Sequence, residues 1–111
     1  MDPEALLIAR QRAEETITSL SRDLDSMMAA SESSNADDEH DPEGATIAFE
    51  RAQMTALLTR AQGRLADVER ALLEMRSGTY GQCATCGEAI GAERLAARPA
   101  STTCIACARR R

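Results

Sequence analysis

Tryptophan is absent from this 111-residue chain, and its aromatic total is one Phe and one Tyr. So few rings exclude a large globular core. Ala, Leu, Ile and Met supply the apolar content, and these are the residues of helices. Lysine is absent too: all 13 basic side chains are Arg, set against 18 acidic ones, for a net charge of -5. A chain of that sign has no general attraction to nucleic-acid phosphates. No apolar run approaches the ~20 residues of a membrane span, and the opening MDPEALLIAR lacks a signal-peptide layout. A cytoplasmic location is therefore expected. Thiols stay reduced there, so the four cysteines are not expected to form two structural disulfides.

The apolar residues that remain are arranged in rows. From Pro3 to about Ala30, Leu6, Ala13, Leu20 and Met27 recur every seven residues, with Ile17 and Leu24 between them and Arg10 interrupting the second row. From Pro42 to Arg76, Ile47, Met54, Ala61, Val68 and Met75 form one row, and Leu58, Leu65 and Leu72 form another, interrupted by Arg51. Two apolar rows at heptad spacing make the seam of a coiled coil. The spacing predicts an antiparallel two-helix hairpin over residues 1–78, bent at 31–43. Its helices would be about 42 and 50 Å long at ~1.5 Å per residue.

Both helices open alike, as Asp2-Pro3-Glu4 and Asp41-Pro42-Glu43. Each offers an N-cap oxygen, a proline whose missing N–H costs nothing at the first helical position, and a carboxylate at the positive dipole end. Ser77-Gly78 supplies a stop. Pairing outward from the bend sets Met27 near Ile47, Leu20 near Met54, Ala13 near Ala61 and Leu6 near Val68. Leu72 and Met75 then overshoot, and Leu7 and Ile8 also want cover. Residues 79–111 are expected to provide it, with Tyr80, Ile90, Leu95 and Ile105 packing on these four.

That terminal segment contains Cys83-x2-Cys86, seventeen residues, and Cys104-x2-Cys107. Two residues between paired cysteines let one tight turn aim both sulfurs at a single tetrahedral ion, and Gly87 suits the backbone of such a knuckle. The expected cofactor is one structural Zn2+ per chain, held by Cys83, Cys86, Cys104 and Cys107. Four thiolates leave no open coordination position, and no nucleophile–base pair accompanies them, so no enzyme activity is expected. A sequence-specific DNA reader would need a basic helix, and the hairpin is acidic.

The stretch YGQCATCGEAIGAERLAARPASTTCIAC, residues 80–107, closely resembles the zinc finger of the DksA/TraR proteins. The likeness rests on Cys86-Gly87, Ile90-Gly91, Arg94-Leu95 and Ala97-Arg98-Pro99. The hairpin with an acidic bend agrees with that family in architecture. The resemblance implies a transcription regulator that binds RNA polymerase through its secondary channel, with an acidic tip near the catalytic centre. The tip residues would be Asp37, Asp38, Asp41 and Glu43. The family's tip motif is Asp-x-x-Asp-x-Ala. Counted from Asp41, Gly44 stands at its second Asp; counted from Asp38, Glu43 stands at its Ala.

Arg98 matches a position that helps hold the alarmone ppGpp in relatives, whereas Asp67 and Ala108 stand where relatives place lysines. An acid facing a polyanion is repulsive, so a weak or absent ppGpp response is expected. The competing assignment is a structural adaptor, its hairpin binding another protein or pairing into a four-helix assembly. On the sequence alone, Asp41 and Glu43 also serve simply as cap and dipole partner for the second helix.

Overall fold

The computed structural model describes residues 2–33 and 42–110; the side chains of 31–33 and 42–43 lie outside that description. The architecture is mainly helical. Two long helices, α1 (Glu4–Ser33) and α2 (Pro42–Ser77), precede two short ones, α3 (Ala92–Ala97) and α4 (Ile105–Arg109). No described helix is long and apolar enough to cross a membrane. Among the described residues the nearest approach to a sheet is an isolated antiparallel bridge between Gln82 and Ala89.

Local chemistry fixes the ends of these helices. The Asp2 carboxylate accepts from the Glu4 N–H at 3.0 Å, and the Pro3 carbonyl accepts from the Leu7 N–H at 2.9 Å. The cap on the first helix is therefore the expected one. At the end of α2, Gly78 takes φ 79°, and the Thr79 N–H reaches back to the Glu74 carbonyl at 2.9 Å. That is a Schellman closure, which needs a residue tolerant of the left-handed region. Asp41, proposed as the second cap, lies outside the described residues.

The chain divides into two compact units, residues 12–64 and residues 1–11 with 65–111. In the 12–64 unit the heptad rows face inward: Ala13 and Ala61 are buried, and Ile17, Leu20, Leu24, Met54 and Leu58 are half-buried. Ile47, placed on the seam by its spacing, stays 37 % exposed, at the margin of the row. Leu57 is exposed beside Leu20, Thr16 and Arg64 in a shallow groove. Residues 15–20 of α1 meet 57–64 of α2, as antiparallel helices require.

In the other unit Leu6, Val68 and Ala71 form a buried cluster, with Ala9, Leu72, Met75, Tyr80 and Ala100 against it. The Leu6–Val68 pairing is the one the heptads predict. Leu72 and Met75 are half-buried against this cluster, which Tyr80 and, unexpectedly, Ala100 also join. The wider expectation fails. Leu7 and Ile8 remain 41 % and 45 % exposed, and Ile105 is 52 % exposed. Helical phase explains the first two, because residues one and two positions beyond buried Leu6 turn ~100° and ~200° away from it. Ile90 and Leu95 are used elsewhere, in the interior of the cysteine module itself.

Candidate metal centre

Four Sγ atoms, of Cys83, Cys86, Cys104 and Cys107, lie within 4.8 Å of one another. Cys86 and Cys104 come from different pairs, and their sulfurs are 3.8 Å apart. A disulfide needs about 2.0 Å, so these are free thiols. A tetrahedron of thiolates around zinc, at Zn–S of about 2.3 Å, has an edge of about 3.8 Å. The donor set and its spacing thus fit one structural zinc.

The knuckle at the first pair is built by the backbone. The Gly87 N–H donates to the Cys83 carbonyl at 2.9 Å, and the Cys83 N–H donates to the Glu88 carbonyl at 2.7 Å. Gly87 has φ 76°, and a Cβ built there would meet nothing within 4 Å. Glycine is required here for its backbone angle and not for space. The Ile90 N–H donates to the Gly81 carbonyl at 2.8 Å, which closes the turn. The second pair is presented differently: Cys104 caps α4 from an extended conformation, and Cys107 lies inside that helix.

Cys83, Ile90 and Cys107 form a buried cluster against Leu95 and Cys104, while Cys86 is exposed. The first cysteine of each pair is the more acidic. Backbone N–H donors, that of Cys86 foremost, hold the Cys83 thiol down to about 6. The backbone of Cys107 likewise leads in lowering Cys104. Cys107 is pushed up to about 12, first by its hydrogen bond with the Cys104 thiol and then by burial. For Cys86 the Glu88 N–H pulls downward, but loss of solvent and the Cys83 thiol together raise it. Without metal, Cys83 therefore gives up its proton most readily, while Cys86 and Cys107 hold theirs. A divalent soft cation ionises all four.

The module is tied to α2 by side chains that the heptad pattern does not reveal. The Tyr80 hydroxyl donates to the Pro99 carbonyl at 2.7 Å. Arg70 bridges two partners: Nη2 donates to the Ala100 carbonyl at 2.8 Å, and Nη1 pairs with Glu74 Oε1 at 2.6 Å. Within the module itself, Arg94 Nε donates to the Thr103 carbonyl at 2.8 Å and to Ser101 Oγ at 3.2 Å. The only sequence signal for the Arg70 contact is its i,i+4 spacing to Glu74.

Of the other residues singled out from sequence, Arg98 is exposed just after α3, and its N–H donates to the Arg94 carbonyl at 2.7 Å. Asp37, Asp38 and Asp41 lie outside the described residues. Glu43 is in the first turn of α2, but its side chain is not described.

Residues 78–111 match the prokaryotic DksA/TraR C4-type zinc finger. The structure of transcription factor DksA2 from Pseudomonas aeruginosa superimposes with a TM-score of 0.79 at 28% sequence identity, covering 97% of this chain and 78% of that one. An uncharacterized protein of Bacillus subtilis (strain 168), YteA, is 39% identical over 69 residues, or 62% of this chain. That match spans only 29% of the Bacillus protein's length.

Proposed function

We propose that the chain, with its DksA/TraR C4-type zinc finger at 78–111 and its likeness of fold to DksA2, is a DksA/TraR-type regulator that acts on transcription by binding RNA polymerase directly. The paired helices enter the secondary channel and bring the acidic connection at 31–43 close to the active centre. The observation that carries this reading is the likeness of fold over 97% of the chain to a transcription factor. Its physical sense is electrostatic. A pair of helices is about 20 Å across, at ~10–12 Å per helix. Carboxylates on its connection suit a site of Mg2+ and basic groups. In this reading Asp37, Asp38, Asp41 and Glu43 face the active centre, and the zinc finger holds the helix ends together. The protein acts in the cytoplasm, where the polymerase is.

Arg98, exposed on the finger, is proposed as a contact for polymerase or for a nucleotide held between the two proteins. Asp67 is exposed on α2, and its charge opposes a polyanionic ligand. Adding ppGpp is therefore expected to change promoter output little. A change of about tenfold, lost on Arg98→Ala, would reverse that conclusion.

Gel filtration of purified chain with cognate polymerase, followed by in vitro transcription, tests the proposal. Co-elution is expected, together with altered promoter output. Asp38→Asn and Asp41→Asn are expected to bind and yet lose the effect on output. Loss of a helix cap alone costs about 1 kcal/mol of stability and would leave the transcriptional effect in place. A homodimer that never co-elutes with polymerase would favour the adaptor instead.

A further inference from the structure

The five residues before Cys104 are gripped on both sides. Their carbonyls at Pro99, Ala100, Thr102 and Thr103 accept, in order, from the Tyr80 hydroxyl, Arg70 Nη2, the Ala84 N–H at 2.8 Å and Arg94 Nε. Ser101 Oγ donates within the strap to Thr103 O at 3.0 Å. Two of these donors, Ala84 N and Arg94 Nε, belong to the finger itself. The other two connect the strap to α2: Arg70 sits on that helix, and Tyr80 follows its Schellman closure and packs on the Leu6–Val68–Ala71 cluster. Arg70 is itself fixed by Glu74. A continuous path of directed contacts therefore runs from α2 through the strap to the next residue in sequence, a metal ligand.

We propose that Arg70 and Tyr80 are positioning residues of the zinc site. They act through the 99–103 strap to hold Cys104 where its sulfur completes the tetrahedron with Cys86. Groups that orient a ligand from behind govern how firmly a metal is held. Burial, and after it Glu74, keep the Tyr80 hydroxyl protonated above the ordinary phenol value, so it remains a donor. The coupling is reciprocal by thermodynamic necessity. Zinc at the four thiols holds the strap on α2, and zinc loss releases it. Tyr80 reports this directly, because the chain has one Tyr and no Trp.

The test uses the full zinc-loaded chain, with release measured to the chromophoric chelator 4-(2-pyridylazo)resorcinol. Zinc retention is expected to fall about tenfold or more in Arg70→Met and about tenfold in Tyr80→Phe, the usual span for such supports. Arg76→Met, at the exposed end of α2, is expected to match the wild type. The double variant is expected to lose less than the product of the single losses, since both residues hold one strap. Tyr80 emission in the wild type is expected to change with the same time course as zinc release. Release rates of both single variants equal to wild type, or Tyr80 emission indifferent to chelation, would overturn the proposal. Should Arg70→Met not fold, Tyr80→Phe decides alone, since it removes one hydroxyl and leaves the ring packing intact.

Discussion

The two compact units of this chain are stabilised by different means. The 12–64 unit is a seam of alternating heptad residues with small side chains at its tightest points, Ala13 and Ala61. Phe49, Leu57 and Met28 remain exposed around it. The unit formed by 1–11 and 65–111 buries Leu6, Val68, Ala71, Cys83, Ile90 and Cys107, and ties distant segments together through Arg70 and Tyr80. A repeating pattern specifies the first. The second depends on chemistry at individual positions, and above all on four thiols.

The largest contrast should come from removing the metal. Zinc binding in comparable sites is worth roughly 10–16 kcal/mol. Chelation, or Cys107→Ser, is expected to abolish amide protection at Cys83, Gly87 and Ile90 while protection around Ala13 and Ala61 survives. Hydrogen exchange followed by mass spectrometry reads both regions in one experiment. Simultaneous loss of protection everywhere would dissolve the distinction between the units.

Acidification sharpens the same contrast, because only one unit holds thiols. Between about pH 6 and 8, Cys83 has given up its proton, whereas Cys86 and Cys107 remain above the ordinary thiol value. Metal binding must expel at least those two protons. Zinc affinity should therefore rise by at least about a hundredfold per pH unit in this range, one factor of ten for each proton released. Below about pH 6 Cys83 is protonated as well, and the dependence steepens. Chelator competition across this range measures the slope, and a slope of one proton or fewer would contradict the assignment.

Core substitutions give intermediate effects. Leu6→Ala removes a side chain that is 1 % exposed and should cost about 2–5 kcal/mol in chemical denaturation. Ala61→Leu forces a large side chain into a fully buried place and should cost about 1–3 kcal/mol. Phe49→Ala should do least. At 64 % exposed the ring has little to lose, and stability should stay within about 0.5 kcal/mol of wild type.

Most of the long-helix architecture was legible in the sequence. Leu6, Ala13, Ala61 and Val68 are buried where the heptads place them, and Asp2, Pro3 and Gly78 mark the helix ends as capping chemistry predicts. The cysteine spacing anticipated that the four thiols would come together in a set that fits one zinc, since two CxxC pairs leave few other arrangements. What escaped was the packing between finger and helix. Ala71 is fully buried yet lies outside both heptad rows, in a cluster that Tyr80 and Ala100 join from beyond the helix pair. Arg70 was missed for the same reason: an exposed-looking charge became a clamp only once Ala100 arrived beside it. Periodicity records which face of a helix meets its neighbour helix. It carries no information about a loop that returns from thirty residues downstream.

Replacing His40, within the acidic connection, by a photo-crosslinking amino acid tests the central claim most directly. Irradiation with cognate RNA polymerase should link position 40 to residues that line the secondary channel near the active centre. Cross-links confined to the polymerase exterior, or to a second copy of this chain, would contradict it.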